Sequence, residues 1–479
     1  MAETTIEQNI EKRAGSGGAA TPSHTTMPEA TAQPSMPLRV DDLPEVFQPE
    51  GSSGMPRANF ASRIKRTQLA NGATLLVLEN HATPTVSVRG ALHAGSYFEP
   101  RDRPGLASIT ADMLERGTKR RSKIEIADQL ERVGAQVDFS SGHFAVNIGA
   151  RSLAKDLPHV IQTLTEELRE SSFPIDELEK LKQQEIASIQ EQQANTRYRA
   201  YERFTELVFD PTHPFFIPPG EKLIESISAI TADDIQSFYT EQYGGRSLIL
   251  VVVGDVESKE VEQQFRESFS DFTGPEKIEV KVSDPTPKKV QREVVFLKDK
   301  ASIDVVIGRF APLRRTSEDY YAAMIANRAL GESTLSSRLG LQVRDKEGLT
   351  YGINSRFRSP SLAAGPWSIT ASVSPENVER IINSALNVLR DYIEHGIGAD
   401  ELADEKSSTI GSFKVSLSTN AGLAEALWHA EFYKLGTDYI DRYPQIMRAV
   451  TAEEVNAASH KYLRPDELTV VIAGDFKDQ

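Results

Sequence analysis

The nine histidines are the first residues to test for chemistry, because a zinc hydrolase commonly binds its metal through two histidines three or four residues apart on one helical face. The closest pair, His81 and His93, is twelve residues apart, and the chain has no cysteine. The histidine spacing therefore indicates no helix-borne zinc site. The lack of cysteine also excludes disulfides, iron–sulfur clusters and a cysteine nucleophile.

One segment combines groups that could act on a substrate. Residues 336–348 have the pattern of a helix with a basic last turn, Gly348 is placed to cap it, and a strand is predicted from Leu349. This cap would bring Arg344 near Tyr351. A guanidinium and a phenol can both donate hydrogen bonds to a carbonyl oxygen or an oxyanion. In the alternative interpretation, Arg344 caps helix carbonyls and Tyr351 packs in a corner of the fold.

Composition narrows the remaining classes of function. The formal net charge of −15 argues against a nucleic-acid ligand, whose phosphates require a basic face. No run of about 18 apolar residues predicts a membrane span, and no glycine-rich phosphate loop or Gly-x-Ser-x-Gly elbow occurs. The acidic start of the chain is unlike a signal peptide. We therefore expect a cytoplasmic protein, or a periplasmic one if a leader was removed before residue 1.

The elements that must position these residues fall into two similar parts. Residues 1–56 are rich in Pro, Thr and Ala and are predicted to form a disordered arm. Helix breakers predict a linker at 273–289, between a first domain at 57–272 and a second at 290–479.

The two domains look like copies of one another. Residues 230–256 align without gaps with residues 450–476, and Thr231 matches Thr451 at an offset of 220. Each copy has strands, a helix, strands with period-two alternation, long amphipathic helices and a final buried strand. This order predicts an α+β fold of two duplicated domains, each an antiparallel or mixed β-sheet packed with helices.

Short motifs in both copies point to a known family. The first copy contains Gly72-Ala-Thr-Leu-Leu-Val-Leu-Glu, Ala94-Gly-Ser-Tyr-Phe-Glu, Gly105-Leu-Ala and Arg116-Gly-Thr, and the second contains Leu330-Gly, Ser336-Ser-Arg-Leu and Arg344-Asp-Lys-Glu-Gly-Leu-Thr-Tyr351. Over residues 60–477 the sequence resembles the pitrilysin/insulinase family, which includes mitochondrial processing peptidases and two-subunit bacterial peptidases. The resemblance implies a pitrilysin-like fold that forms half of a clamshell.

The resemblance also implies where zinc would bind. Active members carry His-x-x-Glu-His on the first helix, with the two histidines on the metal and the glutamate as general base. In the alignment from Gly105, the first histidine is replaced by Ser108, the base by Ala111 and the second histidine by Asp112. A serine and one aspartate cannot replace two imidazoles for a tightly held zinc, and Ala111 cannot accept a proton.

The third zinc ligand of the family is a glutamate on a later helix. Its position is expected near Ser188, with Glu185 and Glu191 close by in the same helix. With the first three positions replaced, we expect this chain to bind no metal and to be unable to hydrolyse peptides alone.

The family resemblance implies a role that depends on a partner. In the family, an Arg and a Tyr seven residues apart contact the peptide carbonyl and the tetrahedral intermediate, and Arg344 and Tyr351 match them. In two-subunit enzymes this pair can lie on the subunit without zinc. We therefore expect the non-catalytic subunit of a heterodimeric zinc peptidase that acts on peptides. Zinc and the His-x-x-Glu-His motif would then belong to a homologous partner chain.

The replaced metal positions are equally compatible with a protein that has no catalytic role. Such a protein would be a structural scaffold, like the core subunits of some respiratory complexes that share this fold, or a homodimeric peptide-binding protein. A pure scaffold has no evident need for Arg344 and Tyr351 in register, which favours the peptidase subunit.

Overall fold

The computed structural model describes residues 59–276, 279–286, 288–358 and 360–477. The predicted arm, residues 1–56, lies outside these ranges. The folded part, Ala58–Gln479, is one compact unit. None of the helices in the described ranges is both long enough and apolar enough to cross a membrane.

Apart from β1, α2 and α8 of the first half, strands and helices follow the same order in the two halves. The strands are β1 (Lys65–Gln68), β2 (Thr74–Glu79), β3 (Thr85–Leu92), β4 (Gln136–Ser141), β5 (Val146–Leu153), β6 (Ile249–Gly254), β7 (Arg292–Phe296), β8 (Ile303–Ala311), β9 (Ile353–Phe357), β10 (Gly365–Val373) and β11 (Thr469–Gly474). The helices of the first half are α1 (Leu106–Met113), α2 (Lys123–Arg132), α3 (Leu157–Glu170), α4 (Ile175–Gln193), α5 (Thr196–Val208), α6 (Gly220–Ala229), α7 (Ala232–Gln242) and α8 (Ser258–Phe269). Those of the second half are α9 (Tyr320–Asn327), α10 (Val378–His395), α11 (Ala399–Ser416), α12 (Asn420–Phe432), α13 (Tyr439–Ala449) and α14 (Ala452–Tyr462).

The two sheets share one topology, which confirms the predicted duplicated α+β fold. The first sheet has the order β1-β2-β6-β3-β5-β4, and the second has β7-β11-β8-β10-β9. In each, one pair is parallel, β2 with β6 and β7 with β11. The remaining pairs are antiparallel. The second sheet thus repeats the first without the edge strand β1.

Local sequence explains where several helices begin. Thr231 and Thr451, the residues matched by the duplication, both form capping boxes, with Asp234 and Glu454 three residues later. In each box the threonine hydroxyl accepts the backbone N–H of the acidic residue, whose carboxylate accepts the threonine N–H. These two reciprocal bonds satisfy donors that the first helical turn would otherwise leave unpaired. The predicted start of α4 after Pro174 is also observed.

In each half, one helix packs on the sheet of the other half. Helix α5 of the first half packs on β8 and β11, and the matching helix α12 of the second half packs on β3 and β6. Accordingly, Phe204 clusters with Val306 and Val471, whereas Leu427 clusters with Val251. The central strands are therefore covered on both faces, which explains why β6 and β11 are continuous apolar runs rather than alternating ones.

Candidate functional site

Helix α1 carries Ser108, Ala111 and Asp112, the positions predicted to correspond to a zinc motif. It begins after Gly105, whose φ of 94° is in the left-handed region that glycine adopts readily. The carboxylate of Glu99 accepts hydrogen bonds from the backbone N–H groups of Gly105 and Ala107 at 3.2 and 2.9 Å. Burial raises the pKa of Glu99 to about 7, although these two hydrogen bonds oppose the rise. A buried acid therefore fixes the start of α1.

The three motif positions on α1 differ in their surroundings. Ser108 is exposed, Asp112 one turn later is half-buried, and Ala111 is completely buried. Residues four apart on a helix share one face, so Ser108 and Asp112 point to the same side while Ala111 fills the core. This face therefore offers one hydroxyl and one carboxyl group, and no proton acceptor at the position of the base.

A second carboxylate acts on Asp112 from the neighbouring helix α4. The pKa of Asp112 is raised to about 6, first by burial and then by repulsion from Glu185 and Glu115, against the attraction of Arg116. The hydroxyl of Ser188 instead accepts a hydrogen bond from Gln192 Nε2 at 3.3 Å. Of the α4 residues considered for the third zinc ligand, Glu185 is thus the one whose charge reaches Asp112.

The donor set at this site does not fit a zinc ion. Within the described ranges, no three His, Cys, Asp or Glu side chains are arranged so that they could hold a metal. Protein zinc sites use three or four nitrogen, sulfur or carboxylate ligands, whereas here Asp112 and Glu185 would stand alone. No step of hydrolysis can therefore be derived for this chain by itself.

The second candidate region comes after α9 and its π-helical continuation, Arg328–Glu332. A π-helical segment spans Gly340–Lys346, a geometry that is frequent at functional sites. Gly348 follows it with a φ of 63°. Its N–H donates to the carbonyl of Arg344, and the Leu349 N–H donates to that of Val343, both at 3.1 Å. The predicted cap at Gly348 is therefore confirmed.

The strand predicted from Leu349 is wrong, because β9 begins only at Ile353. The intervening residues form a turn held by Thr350. Its hydroxyl donates to the carbonyl of Ser372 at 2.6 Å and accepts from the N–H of Gly352 at 3.1 Å. Side-chain hydrogen bonds of this kind compete with strand pairing, and they leave Tyr351 at the outside of the turn.

The two candidate side chains of this turn both reach solvent. Tyr351 is 100% exposed, so the alternative in which it packs in a corner of the fold is wrong. Arg344 is half-buried and forms an ion pair with the adjacent Asp345. No hydrogen bond joins Arg344 to Tyr351 among the described residues. The pair can therefore offer donors to a group that approaches from outside.

Sequence reasoning missed two features of these regions. The capping role of Glu99 depends on a carboxylate six residues before the first helical turn, a spacing that fits no capping motif. The closeness of Glu185 to Asp112 depends on how α1 packs against α4. A helical wheel of α4 could have indicated Glu185 only if the face toward α1 had been known.

Two family models match the chain. Residues 75–210 match the model described as Insulinase (Peptidase family M16), and residues 229–409 match the model described as Peptidase M16 inactive domain. The first stretch contains the predicted zinc positions on α1 and α4, and the second contains Arg344 and Tyr351. Together the two stretches cover more than half of the chain.

Relatives and solved structures agree with these models. An uncharacterized zinc protease from Streptomyces coelicolor is 24% identical over 431 residues, 87% of this chain and 90% of its own. A non-peptidase homolog from Helicobacter pylori is 22% identical, over 83% of this chain and 91% of its own. The crystal structure of a peptidase M16 inactive domain from Pseudomonas fluorescens superimposes with a TM-score of 0.79 at 26% identity, over 87% of this chain and 99% of that one. The chain therefore belongs to the insulinase, or M16, family of peptidases and carries the inactive type of M16 domain.

Proposed function

We propose that this chain is the non-catalytic subunit of a two-chain zinc peptidase and supplies Arg344 and Tyr351 to an active site on its partner. The observation that carries the proposal is the full exposure of Tyr351 in the turn that follows the helical segment of Arg344. The same chain has Ser108, Ala111 and Asp112 in place of the zinc motif. The groups for hydrolysis are missing while the groups for binding an oxyanion are presented to solvent.

The chemistry of the two side chains suits the reaction. When a peptide bond is attacked, its carbonyl oxygen becomes an oxyanion, and preorganised donors stabilise that charge more than they stabilise the substrate. Arg344 offers a planar fork of N–H donors, of which the Asp345 ion pair occupies only a part. Tyr351 adds one O–H donor. A zinc ion on the partner would polarise the carbonyl and activate the water.

The fold supports a role in which Arg344 and Tyr351 act on the active site of another chain. Thr350 attaches the turn to β10 through the Ser372 carbonyl, and the Gly348 cap attaches it to the preceding helical segment. These contacts hold the backbone of the turn at both ends, and the Tyr351 side chain extends from it into solvent. The expected partner is a homologous chain with an intact His-x-x-Glu-His motif, and the two chains together would enclose a peptide substrate.

The test is to express this chain with a His-x-x-Glu-His homologue from the same genome, and to measure zinc and peptidase activity on a mixed peptide library. We expect activity only in the complex. Arg344→Ala should lower its turnover by about 10²- to 10³-fold, with the complex and its zinc content unchanged. Arg390→Ala, which removes an exposed arginine from α10, is the matched control and should keep full activity.

Two results would contradict this proposal. Stoichiometric zinc and activity in the chain alone would show that the replaced motif positions do not disable it. If no stable complex forms and both preparations are inactive, the scaffold or peptide-binding alternative is favoured.

A further inference from the structure

A groove lies on the other side of the helical segment that carries Arg344. It is formed between the π-helical segment Gly340–Lys346 and helix α10, and its volume is about 810 Å³. Arg344 does not line it, so the groove is separate from the proposed oxyanion-binding pair. Its volume is in the range of ligand sites, roughly 300–1,000 Å³.

One end of the groove carries two cations without acidic partners. Arg380 donates from Nη1 to Asn377 Oδ1 at 2.9 Å, and Lys346 lies across the groove from α10. Neither side chain forms an ion pair with any residue that the structure describes. At the other end, Arg338 is paired with Glu401 at 2.6 Å. An anion would therefore be attracted to the end at Lys346 and Arg380.

Three carboxylates are adjacent to these cations in the sequence. Asp345 pairs with Arg344 and Glu379 pairs with Arg292, whereas Glu347 is hydrogen-bonded to neutral side chains. Glu347 Oε1 accepts a hydrogen bond from Gln342 Nε2 at 2.7 Å and another from Ser384 Oγ at 2.8 Å. These contacts hold the carboxylate between the two helical segments.

Glu347 keeps its negative charge, and Asp391 adds a second carboxylate to the groove at 4.0 Å from Arg338. Lys346 and Arg380 are thus the two groove cations that form no ion pair with a described residue and can accept one from a ligand.

The wall formed by α10 offers amide groups at a useful spacing. Asn383 and Asn387 are exposed, line the groove and form no hydrogen bond with a described residue. A carboxamide has both a donor and an acceptor, which is the complement of a peptide unit. Four residues of helix rise about 6 Å, and two residues of an extended chain span about 6.5 Å. The two amides can therefore meet alternate peptide units of an extended segment.

We propose that this groove binds an extended peptide segment with an acidic side chain. Asn383 and Asn387 would bond to its backbone, and Lys346 and Arg380 to its carboxylate. Leu341, which is 46% exposed at the rim, adds apolar contact. This inference does not depend on the partner subunit or on Arg344, so it is tested on this chain alone.

The probe is a fluorescein-labelled peptide of eight residues with alternating Glu and Ala, titrated with the full chain and followed by fluorescence anisotropy. We expect saturable binding, about tenfold weaker binding of the Gln–Ala peptide, and no binding of the Lys–Ala peptide. Arg380→Glu and Lys346→Glu should each weaken binding by about tenfold or more and reduce its salt dependence. Asn383→Leu with Asn387→Leu should weaken binding without changing the salt dependence.

Arg390→Glu is the matched control, because it makes the same charge change on the same helix outside the groove. It should leave the affinity unchanged, and circular dichroism would verify that every variant is folded. The proposal would be overturned if Arg390→Glu weakened binding as much as Arg380→Glu, since the attraction would then be non-specific. It would also be overturned if the Lys–Ala peptide bound as well as the Glu–Ala peptide.

Discussion

In the first half of the molecule, the helix after β3 is α1, whose motif positions Ser108 and Asp112 lie on a regular helical face. In the second half, the helix after β8 is α9, whose π-helical continuation ends at Glu332, and a separate π-helical segment, Gly340–Lys346, precedes the turn of Tyr351. The sheets beneath share one topology, apart from the additional edge strand β1 in the first. The same scaffold therefore carries different polar groups in its two halves. The face of α1 has a small hydroxyl and one carboxyl group, whereas the turn of the second half presents an arginine and a tyrosine to solvent.

The largest effect is expected from introducing a zinc motif into the first half. Ser108→His, Ala111→Glu and Asp112→His together would recreate the zinc motif, and the glutamate would also cost stability because Ala111 is completely buried. Because Glu185 acts on the position of Asp112, it should supply the third ligand. We expect the triple variant to retain about one zinc ion per chain, measured by elemental mass spectrometry against the wild-type chain.

A further substitution tests whether Glu185 is the third zinc ligand. Adding Glu185→Gln to the triple variant should abolish zinc retention, whereas adding Ser188→Ala should leave it intact. The reverse pattern would place the third ligand at Ser188 and would contradict the geometry inferred for α1 and α4.

The next effect concerns the helices that the halves exchange. Phe204 and Leu427 are both completely buried against the sheet of the other half. Phe204→Ala should lower the free energy of unfolding by about 3–5 kcal/mol, and Leu427→Ala by about 2–5 kcal/mol. Chemical denaturation measures the loss. Hydrogen exchange should then rise in β8 and β11 for the first variant, and in β3 and β6 for the second.

A control variant is Leu427→Met, which keeps most of the volume and should cost less than about 1.5 kcal/mol. If Phe204→Ala raised exchange only within the first sheet, the two halves would be independent, and the exchange of helices would not stabilise the fold.

A smaller effect is expected from removing the charge of Asp112 in the first half. The pKa of Asp112 is about 6 in the folded chain and about 3.9 when unfolded. The folded state therefore resists ionisation, and the wild-type chain should lose stability as the pH rises from about 4 to 6. Asp112→Asn removes this penalty. The variant should be more stable by about 1 kcal/mol at pH 7, a value reduced for partial exposure, and equally stable below pH 4.

Urea denaturation at several pH values measures this difference. Asp233→Asn, an exposed substitution on α7, should change stability little over the same range. An Asp112→Asn chain that was less stable than the wild type at pH 7 would show that the carboxylate stabilises the fold, contrary to the direction of its pKa.

The smallest effect is expected in the second half. Tyr351 is fully exposed, so Tyr351→Ala should change the free energy of unfolding by less than about 0.5 kcal/mol. The buried Tyr392 is the contrasting control, and its replacement by Ala should cost about 3–5 kcal/mol. A large loss for Tyr351→Ala would mean that this side chain has a structural role and is not held ready for a ligand.

Much of the architecture could be predicted because its signals are local or periodic. Two of these signals are local: the capping threonines and the proline before α4 each predict where a helix begins. The match between residues 230–256 and 450–476 predicts the duplication. The strand at Leu349 was predicted wrongly because Thr350 bonds across to Ser372, more than twenty residues away. No local sequence pattern predicts the contact between Thr350 and Ser372.

The sequence by itself determined that the chain is duplicated, that no two histidines have the spacing of a helical zinc site and that Arg344 and Tyr351 are seven residues apart. These facts depend only on residue identity and order. The tertiary structure alone decided that Glu185 acts on Asp112, that Tyr351 is exposed, and that α5 and α12 cover each other's sheets. The physical reason is that burial and Coulomb interactions depend on distances between segments, which packing sets after the local elements have formed.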